Sequence, residues 1–315
     1  MKIIVTGALG HIGSKLIRDL PLNFRDLEIV MIDNFTTQRY TSLFNLPNSA
    51  KYTFYQLDII KDSLDKIFID SDAVIHLAAL TEASTSIEQP EEYERVNYIG
   101  TKNILEICKK YSLKLIHLST TSIYGTKKKI VDENCDEEDI KPQSPYALTK
   151  LKEEKLVQEY YDKGFVKSKT LRLGSICGIS PGMRFHAAIS KFCYQASIGK
   201  ALSVWKTAIN QKRPYLNIND ATRAISFIVE KNLFDGGVYN LVTSNLSVQE
   251  IIDIIKKKIK NVKIEIVDNK IMNNFSYDVS AQKIIDQGFK FTGTLEQGIS
   301  DTIDLFNSLK DKFNE

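Results

Sequence analysis

At 315 residues, 43% hydrophobic and 26% charged, the chain has the composition of a soluble globular protein with room for one large domain or two ordinary ones. Lys and Arg number 42 against 39 Asp and Glu, which gives no basis for nucleic-acid binding; the basic runs Lys127–Lys129 and Lys256–Lys258 read as solvated faces. Cys108, Cys135, Cys177 and Cys193 have no CxxC spacing and His11, His76, His117 and His186 no ligand pattern, so a reducing compartment and no metal are expected.

The chain opens on an apolar run, "KIIVTG" (2–7), which becomes glycine-rich at once: "VTGALGHIG" puts Gly7, Gly10 and Gly13 between a strand and the helix predicted over 11–20. In that context the glycines permit a tight turn and let backbone approach a pyrophosphate, which sits on the helix N-terminus. The second strand, "LEIVMID" (27–33), ends on Asp33, whose carboxylate suits two ribose hydroxyls and repels a 2′-phosphate. With no arginine at Asn34 or Phe35, NAD is favoured over NADP. "YTFYQLDI" (52–59) ends near Asp58, a candidate for the adenine amino group or simply a strand-end carboxylate in solvent.

Further strands follow at "AVIHLAA" (73–79), "KLIHLST" (114–120) and "KTLRLGSI" (169–176), with helices predicted over 61–68, 91–111 and 146–163. Apolar strands alternating with helices imply a doubly wound parallel sheet of Rossmann type. After about residue 180 the rhythm breaks. A helical stretch over 182–200, strand-like pieces at "SVW", "RPYLNIN" and "VYNLV", and the capped amphipathic "SVQEIIDIIKKKIK" indicate a smaller α/β lobe. The expected division is residues 1–180 and 181–315, with some later segments returning to the main sheet. No apolar stretch approaches the roughly 18 residues of a membrane span, so a cytoplasmic protein is expected.

Two stretches carry the chemistry. "LSTTSIYG" (118–125) lines up hydroxyls at a strand end, a pattern that alone usually marks a turn. "SPYALTK" places Tyr146 and Lys150 one helical turn apart on a shared face. Together with the glycine fingerprint, "HLAA" (76–79), "QPEEYERVNYIGTKNILEICKK" (89–110), "LRLGSICG" (171–178) and "RPYLNINDATRAI" (213–225), they make the chain resemble the extended short-chain dehydrogenase/reductase family, in its NAD-dependent sugar-nucleotide epimerase/dehydratase branch.

The resemblance implies that Tyr146 is the base that takes a sugar hydroxyl proton as hydride leaves the carbon, C4 in the main reading. Thr120 would help bind the reacting oxygen. An ordinary phenol ionises near pH 10; Lys150 and the oxidised nicotinamide would lower that, and Lys150 would also bind the ribose. It further implies an NAD site built from Gly7, Gly10, His11, Ile12, Gly13, Asp33, Asn34, Asp58, Ile59, Leu77, Ala78, Ala79, Tyr146 and Lys150. Thr121, Ser122, Ser175, His186, Trp205 and Arg213 would face a nucleoside-diphosphate sugar, Arg213 gripping the diphosphate and Trp205 stacking on the base. Plainer readings remain for both: a surface salt bridge for Arg213, a core aromatic for Trp205.

Dehydratases of this branch carry Asp-Glu after the active Thr, where this chain has Thr121-Ser122, which argues against a dehydratase. Ser122 replaces a Cys found in relatives that epimerise next to a keto group, and Ser175 replaces the usual Asn. A second diphosphate arginine, sought around 270–278, is missing, with Lys270 nearby. The expected activity is thus a 4-epimerase or 4-dehydrogenase of a UDP-, GDP- or CDP-sugar, serving bacterial surface polysaccharide synthesis. The resemblance also implies a homodimer through the helices at 91–111 and 146–163. A non-enzymatic dinucleotide sensor and a reductase of a non-nucleotide substrate stand as alternatives.

Overall fold

The computed structural model describes residues 1–185, 187–268 and 275–307. Seven parallel strands form the central sheet. Five come from the first 120 residues: β1 (Lys2–Thr6), β2 (Glu28–Asp33), β3 (Lys51–Gln56), β4 (Ala73–His76) and β5 (Lys114–Thr120). After the two-residue β6 (Ile130–Val131) come β7 (Ser168–Leu173), β8 (Ser175–Cys177), β9 (Leu202–Trp205), β10 (Lys212–Asn217), β11 (Val238–Leu241), β12 (Ser244–Ser247), β13 (Ile264–Val267) and β14 (Asp278–Val279).

The sheet order is β3-β2-β1-β4-β5-β7-β11. The order reverses beside β1, where the chain crosses to β4, and in sheets of this kind ligands bind outside the carboxyl ends of the strands at such a reversal. Both faces are covered, so the strands are apolar without alternation: Ile3, Ile4, Val5, Ile29, Ile32, Val74, Ile75, Leu115 and Ile116 are all fully buried. The helices that matter to the site are α1 (His11–Asn23), α2 (Gly100–Tyr111), α3 (Pro145–Asp162), α4 (Ala188–Ser197), α5 (Ile218–Glu230), α6 (Val248–Lys258) and α7 (Leu295–Asn307).

The predicted strand at 169–176 is two strands. β7 stays in the main sheet, and after Gly174 the chain changes sheets, so that β8 pairs in parallel with β10, itself antiparallel to β12. A Cβ at Gly174 would stand 3.0 Å from the Tyr215 backbone and 3.1 Å from that of Pro214, so a larger residue here would press on the crossing strand. The sheet change therefore comes before the expected boundary at 180. Of the later segments, β11 extends the main sheet beside β7, and α5 packs on α1.

Two predicted helices are modified. That over 61–68 shortens to Asp65–Phe68, because Asp62 accepts from the Asp58 backbone in a turn instead. That over 91–111 begins at Pro90 but widens into a π-turn over Glu94–Ile99 before α2. α6 has the expected capping box, Ser247 and Glu250 satisfying each other's backbone N–H groups. Among the described residues, no helix is long and apolar enough to cross a membrane.

Candidate active site

The glycine loop runs from β1 to α1. Gly7 has φ +65°, and a Cβ there would lie 2.5 Å from the Ala78 nitrogen; one at Gly13 would lie 2.5 Å from the Gly7 carbonyl. The loop thus packs against the chain after β4, and α1 starts at His11 with Gly10 as an N-cap that offers no side chain of its own. Such a cradle of small residues at an open helix N-terminus fits a pyrophosphate. His11 is buried, its Nε2 lying 2.8 Å from the Gly178 carbonyl, while Ile12 is half-buried.

Asp33 lies at the end of β2 and accepts from the backbone N–H groups of Leu9 (3.1 Å) and Phe35 (3.0 Å), which fixes its carboxylate beside the loop. Burial pushes this carboxyl above its ordinary range. Asn34 donates to Asp58 at 3.3 Å, and Asp58 also caps the turn at Ile60, so these two residues form one corner of the groove with Ile59 buried behind them. Leu77, Ala78 and Ala79 follow β4 as the opposite wall; Ala78 donates to the Thr6 hydroxyl.

Across the sheet end stand Thr120, Tyr146 and Lys150, the residues to which the resemblance assigns the chemistry. Thr120 closes β5, is buried, and accepts from the Ser122 N–H at 3.1 Å, so the hydroxyl cluster is also a capped turn. Thr121 donates to the Leu173 carbonyl. α3 begins with Ser144 capping the Ala147 N–H and Pro145 at its first position, which sets Tyr146 in the first turn. The Tyr146 backbone donates to Ser86, and its ring meets Tyr93 edge-on at 6.3 Å. Lys150, one turn on, is buried and donates to the Leu118 carbonyl at 3.0 Å and to Glu153 at 2.9 Å.

A cavity of about 360 Å³ lies between α3 and the second lobe. It brings together Thr121, Ser122, Ser175, Trp205 and Arg213, with Ser144, Lys191 and Tyr215 also on its walls. Arg213 donates to the carbonyls of Lys212 (2.9 Å) and Phe275 (2.5 Å) and to Gln211 (2.6 Å). Trp205 is half-buried on β9, facing the cavity with one side. His186 and Lys270 lie outside the described residues.

Sequence reasoning missed four participants. Arg184 donates to Thr81, feels the charges of Tyr146, Glu82 and Tyr93, and is held below the ordinary arginine range by burial. Arg39 stands near Gly10 and within electrostatic reach of Asp33, six residues away in sequence but adjacent in space. Asn97, aimed inward by the π-turn, exchanges two hydrogen bonds with the Leu80 backbone (2.8 and 2.9 Å) and so holds the 77–80 wall. Glu153 lies beneath Lys150. The π-turn leaves no local sequence signal, and the arginines sit in loops without a motif.

The model of the NAD dependent epimerase/dehydratase family matches residues 3–241. The chain belongs to that family. Its cofactor is therefore NAD. A solved UDP-glucuronic acid 4-epimerase from Bacillus cereus, in complex with UDP-glucuronic acid and NAD, is similar with a TM-score of 0.88. It is 28% identical, and the match covers 98% of this chain and 100% of that one. A dTDP-D-glucose 4,6-dehydratase of Dictyostelium discoideum is 32% identical over 84% of this chain and 62% of its own length. The dTDP-glucose 4,6-dehydratase of Neisseria gonorrhoeae is 29% identical over 96% of this chain and 94% of that one. The chain is thus an NAD-dependent sugar-nucleotide enzyme whose relatives include both epimerases and dehydratases.

Proposed function

We propose that the protein is a 4-epimerase, or a 4-dehydrogenase, of a nucleoside-diphosphate sugar. The observation that carries this reading is the composition of the sheet end around Tyr146: a phenol base, a buried lysine and hydroxyls. Tyr146 takes the proton from the C4 hydroxyl, Thr120 holds the oxygen, and Lys150 orients the cofactor ribose. NAD, when bound, accepts the hydride and can return it. Tyr146 then gives the proton back when the alcohol re-forms on the other face.

Elimination of water needs a further acid and base beside the sugar. At the two positions after Thr120 the chain offers a hydroxyl tied to the Leu173 carbonyl and an exposed serine, which supports epimerase or dehydrogenase over dehydratase chemistry. Arg184, a buried cation near Tyr146 with Thr81 as its hydrogen-bond partner, favours an acidic sugar, as in the Bacillus cereus epimerase. The cavity supports a nucleotide lying between Trp205 and Arg213. A homodimer through α2 and α3, a place in the cytoplasm and a role in bacterial surface polysaccharide synthesis belong to the same proposal. Ile99 and Leu148, 42% and 48% exposed beside and on those helices, supply apolar surface for the dimer.

The test is a reaction followed by NMR with protein, NAD and a panel of UDP-, GDP- and CDP-sugars that includes UDP-glucuronic acid. A C4-epimeric product without net NADH establishes the epimerase. NADH and a keto sugar rising together to enzyme stoichiometry establish the dehydrogenase. A 4-keto-6-deoxy product overturns both.

A further inference from the structure

Lys150 is not a bare cation at the site. Its partner Glu153 lies on the same helix, 1% exposed, and the proposed reaction gives it no part. Three donors converge on Glu153 Oε2: the Lys150 ammonium at 2.9 Å, His117 Nε2 at 3.0 Å and the Thr101 hydroxyl at 3.0 Å.

The direction of each bond follows from what its neighbours leave free. His117 Nδ1 is buried with no partner among the described residues, so a proton there would lack an acceptor; His117 is neutral, with its proton on Nε2. Thr101 gives its proton to Glu153 and hence accepts from His76 Nε2, 3.2 Å away. His76 Nδ1 then accepts from Thr6, 2.7 Å away, and Thr6 accepts from Ala78 N–H. Burial, then the Lys150 charge, take His76 down to about 3, which agrees with a neutral ring. Burial pushes the Glu153 carboxyl up, but Lys150 and His117 outweigh it and hold the group at about 2. The buried cluster is therefore one ammonium and one carboxylate with neutral donors around them.

That balance matters at Tyr146. A lone ammonium one turn away on the same helix face would favour the phenolate, whereas a carboxylate 2.9 Å behind it cancels much of the field. We propose that Glu153 is a charge-balancing positioning residue: it locks Lys150 against the end of β5 and offsets the lysine's charge, so that the basicity of Tyr146 is set by charge outside the pair. The groups that face the phenol from elsewhere are Arg184, with Glu82 beside it, and Tyr93. His117 and His76 face Glu153 from β5 and β4.

The inference rests on Tyr146 being the base of the proposed reaction. Its test uses no sugar, so it gives the same answer whether or not that reaction is found. The phenol is titrated by ultraviolet difference absorption with NAD at saturation, each protein against its own Tyr146→Phe counterpart. Glu153→Gln should move the midpoint down by roughly one pH unit. Lys150→Met with Glu153→Gln removes the pair as a neutral unit and should leave the midpoint within a few tenths of wild type. Exchanging a buried ion pair for neutral groups of similar volume is well tolerated, so the double variant decides the matter even where the single one does not fold. A charge-keeping Glu153→Asp should restore the wild-type titration. An unchanged or raised midpoint in Glu153→Gln, or a rise of about one unit in the double variant, overturns the proposal.

Discussion

At the scale of single residues, the site depends on a few positions where chemistry or backbone conformation leaves no substitute. Tyr146 is one. Tyr146→Phe keeps the ring that packs on Tyr93 and loses only the hydroxyl, so stability and NAD affinity should hold while turnover falls about 10²–10⁴-fold. A binding-only sensor would be indifferent, so sugar conversion by NMR beside NADH fluorescence separates the two classes. Gly7 is another. Its φ of +65° and the 2.5 Å approach to Ala78 mean that Gly7→Ala must move one wall of the groove. Such strained positions cost roughly 1–3 kcal/mol. Gly7→Ala should therefore lower both the melting temperature and NAD affinity, measured by calorimetry. Gly10→Ala, whose Cβ would sit 3.3 Å from the Gly7 carbonyl, should do less.

At the scale of elements, α3 is tied to the sheet by more than Lys150. Glu154 and Arg172 of β7 form a buried bidentate pair with N–O distances of 2.7–3.2 Å, and Arg172 also donates to the Tyr124 hydroxyl at 2.8 Å. Tyr124 reaches Asn240 of β11, and its carbonyl accepts from Tyr277, so the catalytic helix, the hydroxyl turn and the second lobe share one polar network. Arg172→Met leaves Glu154 buried and unpaired, which should cost about 3–5 kcal/mol in urea unfolding. Arg172→Met combined with Glu154→Leu should recover most of that loss. Elements differ in how far the sequence reveals them. β1, β2, β5 and α3 are legible because their apolar runs, glycine turn and Ser-Pro start are local signals. The break of β7 from β8 is not, because Gly174 looks like any glycine until Tyr215, forty residues on, crosses it. Trp205, Arg213, Ser175 and Thr121 were reached through the resemblance, since no spacing links them until the cavity does. The π-turn and Glu153 stayed hidden for a related reason. A polar residue at a helix position gives no sign, in sequence, that its partners wait inside.

At the scale of the whole molecule, the buried polar cluster makes stability depend on pH, and the sign can be worked out. Burial, with the Lys150 charge, depresses His76 from an ordinary 6.5 to about 3. Between those values the unfolded chain carries a proton at this histidine that the folded one does not. Stability therefore rises with pH across that window and is lost on acidification. Glu153 adds to the same trend lower down. Its carboxyl is depressed from 4.5 to about 2, so its contribution is complete above the unfolded value and drains away as pH falls below about 4.5. Both groups act in one direction, and both lie under the catalytic lysine. Urea midpoints should thus fall from pH 7 to pH 5, and fall further towards pH 4. A His76→Asn variant should flatten the upper part of that slope while leaving the lower part, and a midpoint that is level between pH 7 and pH 5 in the wild type would contradict the neutral, buried histidine on which the directed hydrogen-bond chain depends. Because the same chain runs from Ala78 on the cofactor wall to Lys150 beside the base, acidification should weaken NAD binding before it unfolds the protein, a sequence that NADH fluorescence and circular dichroism on one sample can resolve.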